Sequence, residues 1–192
     1  MHVVVEGTHG VGKTTAIGLV LDQLLVPGLV GIPGFVVEYE TLLKLPGTPQ
    51  RMFRINDIAK SQAQVLAAPS PTIADRAYSS TLAFAIASAS RGTLPVSFLS
   101  ETRAWVEDGL DRGLLLRPDR LVVLDLDGEL AWQRVCHRGA HDWTSQEEVS
   151  HLAEVYRDPP GWYVNLVACD YNVVTSGTID DNVSTLARMF TR

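Results

Sequence analysis

Apolar residues recur along the chain in two alternating rhythms. Short β-branched or aliphatic runs mark strands buried on both faces. The first is His2–Glu6, closed by Gly7. Phe35–Glu38 follows the turn pair Pro33-Gly34 and reads as the second strand, Thr72–Asp75 as the third, Leu121–Leu126 as the fourth and Asn172–Thr175 as the fifth. Between them the apolar positions recur at helical spacing. Lys13–Leu25 places Ile17, Val20, Leu21 and Leu24 on one face and stops at Pro27-Gly28. Thr48-Pro49 reads as an N-cap with proline at the first helical position, opening a helix to about Ala67 that Pro69 and Pro71 close. Further helices are expected over Ser79–Ser90, from Ser97 to Leu115, over Glu129–Arg138 with Asp127 as cap, and over Gln146–Tyr156. Thr178 caps a last helix with Ile179, Val183, Leu186 and Phe190 on its buried side. This alternation predicts an α/β fold: a parallel sheet with helices on both faces. Residues 1–192 are read as one domain, and the polar, patternless stretch at about 139–148 as a short lid.

The join between the first strand and the first helix carries the strongest chemistry. Gly7-Thr8-His9-Gly10-Val11-Gly12-Lys13-Thr14-Thr15 contains Gly-x4-Gly-Lys-Thr, the P-loop pattern, in the strand–loop–helix setting that pattern requires. Glycines let successive N–H groups turn inward on a polyphosphate, and the helix aims its positive end at the same place. Lys13 is expected to reach the β- and γ-phosphates of ATP, and Thr14 to ligate Mg²⁺.

Two further groups matter because they follow that loop. Asp75-Arg76 closes the third strand, where a carboxylate can hold Mg²⁺ and an arginine can grip an anion. Arg134 and Arg138 share a helix face leading into the expected lid, placed to neutralise charge on a transferring group. Glu38 and Glu40 follow the second strand, where a base for a hydroxyl acceptor would lie. Arg51 and Arg54 could line an acceptor pocket as readily as an exposed helix face, while Phe53 and Tyr78 fit core packing better than base stacking.

Composition narrows the classes. The chain has 192 residues, 46% of them hydrophobic, and a net charge of −6, which argues against a nucleic-acid polymer as partner. No apolar stretch is long enough to span a bilayer, no secretory signal is read at the N-terminus, and Cys136 and Cys169 lie far apart, so a reduced, cytoplasmic protein is expected. His137 and His141 have no third ligand at metal spacing, so no zinc site is read.

In this order, the motifs resemble those of the thymidylate kinase-like and deoxynucleoside kinase group of P-loop kinases. Glu6–Thr15 matches the loop of thymidylate kinases, although His9 between the first two glycines is more like herpesviral thymidine kinases. Asp75–Phe84 is similar to their Asp-Arg-Tyr-x-x-Ser-Ser segment; Pro118-Asp119, Asp125 to Asp127 and Arg134 to Gly139 look like their later motifs. The Arg-Glu-Pro-Gly-Gly-Thr segment of thymidylate kinases and the Glu-Pro pair of deoxynucleoside kinases are both missing. The resemblance implies a five-stranded parallel sheet, ATP as donor, Mg²⁺, a small-molecule acceptor and compatibility with a homodimer. A nucleoside monophosphate is the favoured acceptor on the Asp75–Phe84 match. A nucleoside with Glu38 or Glu40 as base, a non-nucleotide metabolite, and a nucleotide-dependent switch remain alternatives.

Overall fold

The computed structural model describes residues 1–44, 49–137 and 145–190. Its strands are β1 (His2–Glu6), β2 (Val30–Ile32), β3 (Thr72–Asp75), β4 (Arg120–Asp125) and β5 (Asp170–Thr175). They form one five-stranded sheet in the order β2-β3-β1-β4-β5. Every pairing is parallel, with Val5 opposite Asp75 on one side and Glu6 opposite Val123 on the other. β1 is therefore central, and the ends of β3 and β4 flank its own.

The strands are buried on both faces because their side chains alternate. Val4, Ala74, Leu121 and Val123 point to one face, with α4 (Tyr78–Ser90), α5 (Val96–Asp111), α7 (Gln146–Arg157) and α8 (Gly161–Val167). Val3, Val5, Ile73, Val122 and Leu124 point to the other, against α1 (Lys13–Asp22), α6 (Gly128–His137) and α9 (Ile179–Arg188). Buried tyrosines stitch the first face through their hydroxyls, each finding an acceptor as burial requires. Tyr78 donates to the Leu166 carbonyl, Tyr163 to that of Ser79 and Tyr171 to that of Tyr156. Tyr78 is thus a core residue, as its apolar surroundings predict.

Caps fix the helix starts. The Asp127 carboxylate accepts from the N–H groups of Glu129 and Leu130 at the head of α6. Thr178 and Asp181 form a reciprocal capping box on α9, a device whose loss costs about 1 kcal/mol.

The second strand is a correction. It lies at Val30–Ile32, not Phe35–Glu38. Pro33 cannot donate to a ladder. The Asn56 side chain, on α3 (Pro49–Leu66), takes the N–H groups of Val36 and Val37 and donates to the Gly34 carbonyl. These backbone groups are held by a helix rather than by a neighbouring strand. A short helix, α2 (Tyr39–Leu43), begins right after Glu38 and was not expected, nor was α8. Thr48, the expected cap of α3, lies outside the described residues, as do 139–144 of the expected lid; Ser145 caps α7, which begins at Gln146.

Candidate active site

The β1–α1 loop has the shape its glycines permit. Gly7, Gly10 and Gly12 have φ of 128°, 82° and 92°, a region L side chains rarely adopt. Space forbids a side chain at two of them. A Cβ on Gly7 would lie 2.3 Å from the Leu124 carbonyl oxygen, and one on Gly10 2.5 Å from that of Ala131. The loop is thus clamped between the end of β4 and α6. Thr8 and Val11 are buried within it, and Thr15 lines the cleft beside it. Lys13 curls back so that Nζ donates to the carbonyls of Gly7 (3.0 Å) and Thr8 (2.7 Å). Arg134 reaches the loop from α6, donating to the Gly10 carbonyl at 3.2 Å. Arg138 lies outside the described residues.

A cleft of about 720 Å³ opens beside this loop. It is lined by Gly12, Thr15, Arg134 and His137 on one side and Thr178, Ile179 and Asn182 on the other. Arg134 thus touches both the loop and the cleft.

β3 brings the second group in. Thr14 Oγ1 donates to Asp75 Oδ2 at 2.5 Å, so a hydroxyl and a carboxylate meet where β1 and β3 end. Both donors are hard oxygens, and among the described residues no cluster of three His, Cys, Asp or Glu side chains forms a protein cage. That donor set fits Mg²⁺, which is commonly held by one or two protein oxygens together with phosphate oxygens.

Arg76, expected to grip an anion, also has partners inside the protein. Its φ is 66°, left-handed for a bulky residue, a conformation costing on the order of 1–3 kcal/mol. Its side chain turns into the protein: Nη1 donates to Ser80 Oγ at 3.0 Å and lies 3.7 Å from Glu6 Oε2. Glu6, fully buried at the end of β1, is a hub that the sequence did not single out. Its carboxylate accepts from the Ala77 N–H, Ser79 Oγ, Ser80 Oγ and Tyr156 OH. It ties β1, the α4 N-terminus and α7 together. Burial and the neighbouring Glu6 charge drive the Tyr156 phenol well above its ordinary value, so it stays a donor.

Two more buried charges sit behind Asp75. Lys60, 2% exposed, donates to the Asp75 and Arg76 carbonyls at 2.5 and 2.9 Å. Asp57, 6% exposed, accepts from Thr81 Oγ1 at 2.7 Å. Burial raises the Asp57 carboxyl to about 7, opposed by the Lys60 charge, and burial lowers Lys60. The signal was there in principle: Asn56, Asp57, Lys60, Ser61 and Gln64 repeat at helical spacing, a polar stripe that faces inward.

Of the remaining candidates, Glu38 and Glu40 are exposed beyond β2, and Glu38 Oε2 accepts from Thr41 Oγ1 at 3.2 Å. Arg54 stacks over the Trp105 ring, 5.2 Å from its centroid, and donates to Thr102. Phe53, expected to pack in the core, is exposed instead and lies 6.5 Å from Phe35, ring to ring.

No protein-family profile matches the chain, and no curated protein matches it. Solved structures do. Deoxyadenosine kinase from M. mycoides with bound dATP superposes with a TM-score of 0.69 at 16% identity, over 100% of both chains. The same enzyme with the products dCMP and a flexible dCDP gives 0.67 at 18%, over 98% of each chain. With bound dCTP it gives 0.66 at 17%, again over 98% of each. From end to end, the chain has the fold of the deoxynucleoside kinase group of P-loop kinases.

Proposed function

We propose that this protein is an ATP-dependent phosphotransferase whose acceptor is the sugar hydroxyl of a nucleoside. The observation that supports phosphoryl transfer most is the Thr14–Asp75 contact beside the Lys13 loop, a loop whose Val11 and Gly12 line the 720 Å³ cleft. In this reading the cleft takes the base and sugar of ATP, and the loop N–H groups take its phosphates. Thr14 and Asp75 hold Mg²⁺, which when bound offsets negative charge on the phosphates. Lys13, Arg134 and Arg138 add positive charge where charge develops.

The choice of acceptor rests on Arg76. An anionic acceptor needs uncompensated positive charge, but Arg76 Nη1 already donates to Ser80 beside the Glu6 carboxylate, which leaves Nη2 as its one buried nitrogen without a hydrogen-bond partner, and Arg54 engages Trp105 and Thr102. A hydroxyl acceptor needs a base instead. Glu38 is an exposed carboxylate beyond the strand next to β3, on a segment that Asn56 anchors. The full-length likeness to a deoxyadenosine kinase supports the same choice. A nucleoside monophosphate is the second reading, favoured by the match of Asp75–Phe84 to the thymidylate kinase pattern. The proposed setting is cytoplasmic, which suits the free thiols of Cys136 and Cys169. Among the described residues no helix is long and apolar enough to cross a membrane.

The test is ATP consumption over a panel of nucleosides and their monophosphates. Turnover is expected with a nucleoside, and Glu38→Gln should lower kcat by roughly 10²–10⁴-fold. Turnover confined to monophosphates, unaffected by Glu38→Gln but lost in Arg76→Ala, would transfer the assignment to the second reading.

A further inference from the structure

The inward-facing polar stripe of α3 follows β3 from end to end. Gln64 donates to Thr72 Oγ1 at the start of the strand, and Lys60 holds the carbonyls at its finish. The reason lies in the ladder. β2 is short, and its last pair with β3 is Ile32 with Ala74. The Asp75 carbonyl lies one residue past that pair, and the Arg76 carbonyl follows the left-handed bend. Buried carbonyls need a donor. Lys60 supplies one ammonium to both, and Asp57, three residues earlier on the same helix, is the charge that favours it most. Glu6 and Asp75 also attract it, and Arg76 opposes it.

These two carbonyls belong to the residues that matter most at the β3 end. Asp75 points its carboxylate at Thr14, and Arg76 points its guanidinium at Glu6 and Ser80. A side chain that fixes both backbones fixes both directions. We propose that Lys60 is the positioning residue of this corner: its ammonium holds the Asp75 and Arg76 carbonyls, keeps Arg76 left-handed, and thereby aims the Asp75 carboxylate at Thr14 and the Mg²⁺ they would share. The proposal rests on the reading of Thr14 and Asp75 as the metal site. It assigns Lys60 no contact with substrate.

The test separates aim from mere support. Lys60→Met keeps the stem and removes the donor. Because it leaves Asp57 buried without its partner, a second variant, Asp57→Asn with Lys60→Met, removes both charges and preserves folding more readily. ADP binding is measured by calorimetry with Mg²⁺ and with EDTA, alongside kcat, KM and the Mg²⁺ concentration giving half-maximal rate. Both variants should bind ADP in EDTA as the wild type does and lose most of the gain that Mg²⁺ adds. Their kcat should fall about 10–100-fold with little change in the KM for ATP, the scale of a small misplacement of a reacting group. The double variant should regain thermal stability without regaining the Mg²⁺ response. A wild-type Mg²⁺ response in either folded variant, or failure of both to fold, would overturn the proposal and leave Lys60 a structural residue. The calorimetric readout needs no acceptor. Absence of turnover in the wild type would sink the proposed function while leaving this test intact.

Discussion

Lys13 and Lys60 hold the ends of neighbouring strands in the same way. Each is nearly buried, and each places one ammonium on two consecutive carbonyls, Gly7 and Thr8 after β1, Asp75 and Arg76 at the end of β3. Their surroundings differ. Lys13 opens α1 beside a glycine loop with three left-handed residues, next to the cleft. Its carbonyl partners are neutral, so an arriving phosphate offers a stronger, charge-assisted bond. Lys60 sits in mid-helix, drawn to the carboxylates of Asp57, Glu6 and Asp75. An ammonium set among buried carboxylates cannot change partners without exposing them. In the proposed function, the same hydrogen-bond pattern would serve a charge that moves to phosphate at one strand end and a fixed one at the other.

Lys13→Ala is the sharpest attempt to break this contrast. It should lower turnover on the order of 10³-fold or more while leaving the thermal midpoint nearly unchanged, checked by a coupled ATP assay and a melting curve. A large loss of stability with modest loss of rate would make Lys13 another fixed charge.

Arg134→Ala comes next. Its bond to the Gly10 carbonyl places it on the mobile side of the comparison. A drop in kcat of about 10–100-fold, exceeding any change in ADP affinity, is expected if its contact tightens in the transition state. A change in KM alone would make it a uniform binder.

The smallest effect on rate concerns the fixed side and is read as stability against pH. The Asp57 carboxyl is raised to about 7 by burial from an ordinary 3.8. The folded protein therefore retains this proton where the unfolded chain has released it. The stabilisation is complete below the unfolded value and is lost as pH rises to about 7. Against Asp57→Asn, the wild type should lose about 1.4 kcal/mol per pH unit across that window, measured by urea denaturation. Parallel pH profiles for the two proteins would show that Lys60 keeps Asp57 ionised throughout.

What the sequence disclosed divides along the same line. The phosphate loop was legible because its glycines, lysine and threonine are contiguous and their spacing is itself the geometry. Four of the five strands were placed by their β-branched runs, and Thr178 and Asp127 announced their caps. β2 was misplaced because Phe35-Val36-Val37 is the more strand-like run, whereas Val30–Ile32 is chosen by pairing with β3 and ended by Pro33. The Glu6 hub could not be read, since its partners Ser79 and Tyr156 lie 73 and 150 residues away. Arg76 was read as an arginine placed to grip an anion, and its internal partners could not be read, because only the fold brings Glu6 beneath it. Lys60 and Asp57 carry no motif; their importance comes from being buried.

The central place of β1 also governs when the loop can exist during synthesis. β1 leaves the ribosome before both of its partners, Thr72–Asp75 and Arg120–Val123. Gly7 takes shape against the Leu124 carbonyl, 117 residues later in the chain. At roughly 5–20 residues per second, the glycine loop waits about 6–23 s for that wall to be made. Nucleotide affinity should consequently be a late event of biogenesis. Nascent chains arrested before β4 has emerged should fail to retain ADP, however complete their N-terminal motif.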